Sequence, residues 1–342
     1  MASNKLELLE LTKPFLHRSD LIQGPGGNTS IKNSNGEMYI KASGFRFDEM
    51  TNENGISAVN YLNIRNYFSL VKPLDKEKEE AEMLSIVSEN ILKDVMGNAF
   101  PRPSMETGFH AVLDQYVIHT HSVWTNLVNC RTDRSAAISH LRKFFNIAEI
   151  PFVSPGFGLS YLVTDVIKQA ELSGKSRPDI FFLHNHGVIA HSDNKENCIK
   201  LLLDLDQTIM DYLEIKQEYP NTNISGSDGD WKPQNDFVNK LLEKFHCDDR
   251  FFEQVLFPDQ TVFFKDQIQF DSLDRNRKIC IINNQINYRC QERDAKAIHE
   301  TMTAYLFIFD YLKSNNIEID LIGKNELDYI NNMEMEKHRK SI

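Results

Sequence analysis

No window of this 342-residue sequence approaches an apolar run of membrane length, so a membrane span is not expected. The amino terminus, Met-Ala-Ser-Asn-Lys-Leu-Glu-Leu-Leu-Glu-Leu, alternates charge with leucine and lacks the uninterrupted apolar stretch of a secretory signal, which makes the cytoplasm the expected compartment. Cysteine is scarce and scattered. Cys130, Cys198, Cys247, Cys280 and Cys290 form no CxxC pair, which argues against disulfide staples and against a cysteine zinc knuckle. Positive charge is in deficit: 38 Lys and Arg against 49 Asp and Glu give a formal charge of -11, which disfavours a large nucleic-acid footprint. An anionic substrate would have to be attracted locally, against that field. No Gly-x-Gly-x-x-Gly follows a strand-like run, so there is no case for a dinucleotide domain. Hydrophobic residues at 41% and charged residues at 25% fit an ordinary globular protein, and the length calls for a main domain of about 200 residues with a smaller one appended.

Periodicity predicts a first helix near residues 4–18, then a turn-rich segment from Gln23 to Asn28 and a short strand around Glu37 to Ala42. The charged stretch Asp75 to Glu82 leads into an amphipathic helix through Met83–Val87 and Ile91–Leu92, and Met105 to Leu113 starts another just after Ser104. The runs Tyr116–His119, Ile180–His184 and Val188–Ala190 read as buried strands. Strands alternating with helices indicate an α/β domain. The Asn-, Ser-, Gly- and Asp-rich segment Pro220 to Pro233 reads as a linker or long loop, which places the domain boundary there, with domains at 1–224 and 225–342. Beyond it, a helix near 235–246, strands at Thr261–Phe264 and Ile279–Ile282, a long helix from Ala295 to Leu312 and a final helical stretch through Met333–Arg339 are expected.

In His119-Thr120-His121 the two imidazoles stand two positions apart at the end of a β-like run and project to one face, so both can reach one ion. A catalytic zinc takes three protein ligands and keeps an open position; His186, at another strand end before Gly187, is the natural third. Alone, a His-x-His pair reads as two turn histidines, and His184 competes with His186 as ligand. His110 and His191 read as hydrogen-bonded structural or surface histidines. Glu106 follows a Pro-Ser turn at a helix start, where it is either a simple N-terminal charge or, if the fold brings it beside the metal, a general acid/base. The turn Gly26-Gly27-Asn28-Thr29-Ser30 and the later Lys41-Ala42-Ser43-Gly44 offer backbone amides, hydroxyls and a cation, the ingredients of a phosphate cradle.

Taken in order, Gly-Gly-Asn-Thr-Ser, Lys-Ala-Ser-Gly, Pro-Ser-Met-Glu-Thr, His-Thr-His and Asn-His-Gly resemble the class II aldolase/adducin family. The segments Leu256-Phe257-Pro258-Asp259-Gln260 and Asn332-Met333-Glu334-Met335-Glu336-Lys337 resemble the aldolase portions of rhamnulose-phosphate aldolase/alcohol dehydrogenase proteins, without the dehydrogenase half. The resemblance implies a three-layer sandwich, with a mainly antiparallel central sheet between helices and a smaller C-terminal α+β extension. It implies a homotetramer or other homo-oligomer, with a zinc or other divalent ion on His119, His121 and His186 and Glu106 as the acid/base. Phosphate would lie on Gly27, Asn28, Ser43, Gly44 and Ser104, with Lys41 as a possible countercharge. In the family's sugar-phosphate aldolases two serines precede the glutamate, whereas Met105 stands here in place of the second. The implied reaction is zinc-dependent retro-aldol cleavage of a ketose phosphate or sugar acid phosphate through an enediolate, with Tyr161 or a neighbouring subunit's tyrosine acting on the other side of the substrate. Decarboxylases, dehydratases and epimerases share the metal histidines; epimerases tend to carry aspartate at the acid/base position, so Glu106 shifts weight from them. Non-catalytic adducin-like heads lack the histidine triad.

Overall fold

The apolar run Ile180–Leu183 is a strand buried on both faces, and that burial organises the molecule. In the computed structural model, which describes residues 2–72, 75–96, 101–264, 266–271 and 277–332, it belongs to a seven-stranded sheet. Its strands are β1 (Asn28–Lys32), β2 (Glu37–Lys41), β3 (Ile56–Asn60), β4 (Tyr116–Thr120), β5 (Ile147–Ile150), β6 (Ile180–Leu183) and β7 (Gly187–Ser192), in the order β3-β2-β1-β4-β7-β6-β5. Every neighbouring pair is antiparallel except β5 with β6. Side chains alternate across the sheet, so each strand feeds two cores. Tyr39, Ile118, Phe182 and Val188 join Leu8, Leu11, Trp124 and Leu205 of the helices Ala2–Thr12, Val123–Asn129 and Lys195–Tyr212. Met38, Val117, Phe181 and Ile189 join Phe68, Phe109 and Val163 of the helices Tyr61–Leu70, Thr107–Val112 and Phe157–Leu172 on the other face. This is the three-layer, mainly antiparallel sandwich expected. Continuous apolar runs, usual in parallel sheets, arise here because helices cover both faces.

The C-terminal part carries a second sheet of β8 (Ile224–Ser227), β9 (Asp230–Pro233), β10 (Ile268–Phe270), β11 (Ile279–Ile282) and β12 (Gln285–Arg289), ordered β10-β11-β12-β9-β8. The expected linker Pro220–Pro233 is therefore mostly a hairpin, β8 to β9. Asp228 and Gly229 both adopt left-handed φ, 51° and 83°, as the two central residues of a tight primed turn do. The strand expected at Thr261–Phe264 is instead a helix, Asp259–Phe263, because local side-chain bonds hold it wound: Gln260 Oε1 accepts from Leu256 N and Thr261 Oγ1 donates to Pro258 O. The long helix Glu292–Ser314 packs into the same core as the first sheet, with the Phe307 ring edge-on to Trp124 at 5.5 Å. The expected helical stretch Met333–Arg339 lies outside the described residues. No described helix is long and apolar enough to cross a membrane.

One buried carboxyl gives this fold a pH dependence. Glu80 accepts the Phe157 N–H at the start of the helix Phe157–Leu172 at 2.7 Å, and burial nonetheless pushes it up to about 7. A raised folded-state value means stability is present at low pH and lost as pH climbs from about 4.5 to about 7. Glu80→Gln keeps an acceptor and cannot ionise. The variant should be more stable than the parent at pH 8 by up to about 3 kcal/mol and nearly equal at pH 4. Thermal unfolding at the two pH values checks this, and parallel profiles would refute it.

Candidate functional site

Strand register assembles the site. In the β1–β4 ladder Asn28 lies opposite His119, and in the β4–β7 ladder Thr120 lies opposite Val188, so His121, just past β4, meets His186, just before β7. The His186–Gly187 corner is fastened from the helix Val123–Asn129, where Asn126 Nδ2 donates to His186 O and Asn129 Nδ2 to Gly187 O at 3.3 and 2.9 Å. Asn185 takes a left-handed φ of 52° to make the turn.

The three histidines are buried together, with one ring nitrogen of each within 4.8 Å of the others. His119 Nε2 and His121 Nε2 are 3.1 Å apart. The outward nitrogens of two rings are already engaged: His119 Nδ1 donates to Val188 O at 3.0 Å, and His121 Nδ1 to Asp259 Oδ2. Burial holds His119 below the usual imidazole range, working against the nearby Glu106 carboxylate, so the ring is kept in the neutral form a metal ligand requires. The group of His119, His121 and His186 can hold a divalent ion, and three imidazole nitrogens suit zinc among the candidates.

Glu106 stands beside this group. Its Oε1 lies 3.5 Å from His119 Nε2 and 3.6 Å from His186 Nε2, buried, and accepts no hydrogen bond among the described residues. A buried carboxylate oxygen without a hydrogen-bond donor, within 3.6 Å of two imidazole nitrogens, fits a site made for a cation. Its other oxygen accepts from Asn28 Nδ2 at 2.6 Å. Asn28 Nδ2 also approaches Ser104 Oγ at 3.1 Å, and Asn28 Oδ1 meets His110 Nε2, whose Nδ1 lies 2.7 Å from Ser30 Oγ. Burial, then the nearby Lys32 charge, keeps His110 well below its ordinary value and hence neutral. A consistent set of donors follows: Ser30 donates to His110, His110 to Asn28, and Asn28 to Glu106. His110 is thus structural, as expected, but its hydrogen-bond chain ends on the candidate acid/base.

Gly26, Gly27, Asn28, Lys41, Ser43, Gly44, Ser104, Met105, Glu106, His121, His186 and Asp259 line one cleft. All the phosphate-cradle residues expected from the sequence are therefore brought beside the histidines. Gly27 has φ +60°, and a Cβ there would come within 2.7 Å of His119 O, so only glycine brings this turn so close to the histidine-bearing strand β4. Lys41 Nζ donates to Pro25 O and Phe45 O at 2.9 and 2.7 Å, tying the two turns together. His184 is elsewhere: its Nε2 pairs with Glu149 at 3.2 Å and its Nδ1 faces Arg134. His191 Nε2 bonds Pro178 O at 2.8 Å. Tyr161 stacks its ring on Phe157 in the helix layer and is not among the cleft-lining residues. Asp259 was not foreseen at the site; 138 residues separate it from His121, and only its place in Leu256-Phe257-Pro258-Asp259-Gln260 marked it.

The family model of the class II aldolase and adducin N-terminal domain matches residues 7–213, more than half of the chain. No curated protein matches it. Among solved structures, it is similar to the N-terminal class II aldolase domain of a conserved protein from Thermoplasma acidophilum, at 20% identity over 60% of this chain and 92% of that one, with a TM-score of 0.48. It is similar to YgbL from Escherichia coli, a putative aldolase/epimerase/decarboxylase, at 18% identity over 64% and 92%, TM-score 0.44. The L-fuculose 1-phosphate aldolase of Glaciozyma antarctica is 11% identical over 93% of this chain and 92% of that one, TM-score 0.40.

Proposed function

Because the chain belongs to the class II aldolase and adducin family, we propose that it is a metal-dependent aldolase cleaving a ketose phosphate, or a related sugar acid phosphate, by a retro-aldol reaction. The observation that carries this reading is Glu106 Oε1, buried, without a hydrogen-bond donor among the described residues and 3.5 and 3.6 Å from two imidazole nitrogens, in a cleft also lined by Gly26, Gly27, Ser43, Gly44 and Ser104. His119, His121 and His186 would hold the ion through Nε2, most readily zinc. When bound, a divalent cation there supplies Lewis-acid stabilisation to negative charge developing on substrate oxygen. Glu106 Oε1 moves the proton between substrate carbon and its surroundings, while the Asn28 amide on Oε2 fixes which oxygen faces the substrate. Gly27, Ser43, Gly44 and Ser104, with Lys41 nearby, hold the anionic end and orient the reacting carbons. Residues 1–224 constitute the catalytic domain on this reading, with 225–342 as an extension, and the protein works as a homo-oligomer, which light scattering of the eluted peak tests directly.

The test is to incubate zinc-loaded protein with a panel of ketose 1-phosphates and, in reverse, with dihydroxyacetone phosphate and aldehydes. Cleavage or condensation supports the aldolase; release of carbon dioxide from a 3-oxo acid, with no cleavage of any ketose phosphate, replaces it by a decarboxylase.

The anion cradle makes its own prediction. Inorganic phosphate should inhibit competitively, and Ser43→Asp, which adds a carboxylate to the cradle without touching the Asn28–Glu106 bond, should raise the inhibition constant about tenfold or more. An unchanged constant would place the anion elsewhere.

A further inference from the structure

The matched segment ends at residue 213, yet the triad is braced by residues beyond it. Asp259, 1% exposed, opens the helix Asp259–Phe263 at the end of the turn 256–258 and accepts the His121 Nδ1 hydrogen bond. A Cβ on Gly26 would sit 2.9 Å from the same His121 Nδ1, so the glycine lets the backbone of that turn approach the ring edge that Asp259 holds. Three residues before Asp259, Leu256 O accepts from Asn185 Nδ2 at 3.1 Å, and the same amide reaches Asp320 O at 2.8 Å. Asn185 immediately precedes His186. One turn of the C-terminal extension therefore contacts the settings of two of the three histidines. The turn is itself locked, because Gln260 Oε1 accepts from both Leu256 N and Phe257 N at 2.7 and 3.3 Å.

We propose that Asp259 is a positioning residue of the metal site, its carboxylate holding His121 as the Nδ1–H tautomer with Nε2 turned towards His119 and His186, so that the C-terminal extension completes a site whose ligands all lie in the N-terminal part. The inference rests on reading these three histidines as the ligands. An imidazole has two nitrogens that can bind an ion, and one without an acceptor at the far nitrogen is free to turn or to exchange tautomers. A carboxylate acceptor removes that freedom, raises the basicity of the ligating nitrogen and finds compensation for its own buried charge in the polarised N–H.

The experiment compares full-length Asp259→Ala, Asp259→Asn and His121→Ala by chelator competition for zinc and by the visible spectrum of the cobalt(II) forms, with thermal unfolding of the metal-free proteins as the check on folding. Asp259→Ala should bind zinc roughly 10- to 100-fold more weakly than the parent, with an altered cobalt spectrum. Asp259→Asn, whose carbonyl oxygen still accepts from Nδ1, should recover part of the loss. Parent affinity and spectrum in Asp259→Ala, alongside lost binding in His121→Ala, would overturn this inference and leave the triad standing. Unchanged binding in His121→Ala would overturn the ligand assignment itself. Should the alanine variant fail to fold, a crystal structure of the zinc-loaded parent decides: coordination of His121 through Nε2, with Nδ1 on Asp259, is expected, and coordination through Nδ1 or by Asp259 itself overturns the proposal.

Discussion

Glu106→Gln should lower kcat by roughly 100- to 10,000-fold on whichever substrate the panel identifies, while metal content stays at the parent level. The glutamine carbonyl can take the Asn28 Nδ2 hydrogen bond now made by Oε2, so the side chain keeps its place, but an amide then stands where Oε1 faces the histidines. That amide cannot accept a proton. Exchange of the substrate's carbon-bound proton with solvent should disappear together with turnover, and this separates a lost proton transfer from lost substrate binding, which would raise KM instead. A fall in metal affinity matching the fall in kcat would assign the carboxylate to the coordination sphere. Full activity would reduce Glu106 to the charge ahead of the helix Thr107–Val112 and move the proton-transfer role elsewhere.

His186→Ala should take the protein from about one divalent ion per chain to essentially none after dialysis against trace metal, because two imidazoles without the third leave the site below the three protein ligands of an open zinc centre. His184→Ala, two positions away, should keep its metal: that ring is committed to Glu149 and Arg134. Elemental analysis of the two dialysed variants reads both outcomes, and the reverse pattern would exchange the roles of the two histidines. The sequence leaves this choice open since both flank Asn185 at equal spacing. The left-handed turn at Asn185 resolves it by sending His186 into the cleft while His184 points towards β5.

What the sequence disclosed depended on whether a residue's surroundings were local. Tyr116–His119, Ile180–His184 and Val188–Ala190 read as strands because their own apolarity demanded burial, and the long helix beginning near Ala295 read as a helix for the same reason. β1 did not. Asn28-Thr29-Ser30-Ile31-Lys32 looks like turn material, and it is buried only because distant groups satisfy it: Thr12 Oγ1 meets Thr29 Oγ1 at 2.7 Å, His110 meets Ser30, and Lys32 Nζ donates to Asp114 O. The hairpin at Asp228-Gly229 carried a legible turn signal, which the surrounding polar residues hid. In the site, the histidine triad, Glu106 and the two glycine turns were visible as motifs, whereas the bond from Asp259 to His121 spans 138 residues and has no local signature. His110 was visible as a histidine, but the chain it forms through Asn28 to Glu106 needed the fold.

The helix Glu292–Ser314 also reaches back to the cleft's rim. Glu300 accepts from Gly24 N at 2.7 Å and pairs with Arg46 at 2.7 and 3.0 Å, and Arg293 pairs with Glu49 and donates to Gly44 O. The contact from Gly24 to Glu300 closes a loop of 276 residues. On a ribosome adding about 5–20 residues per second, the first glycine turn therefore waits on the order of 10 to 60 s for the side chain that fastens it. During that interval the strands up to β7 can pair among themselves, but the apolar face built around Trp124 lacks Phe307 and its neighbours and stays open to water. The cleft is thus among the last parts of the molecule to be fastened, and a nascent chain stalled before residue 300 would expose hydrophobic surface to chaperones while its rim still lacked Glu300.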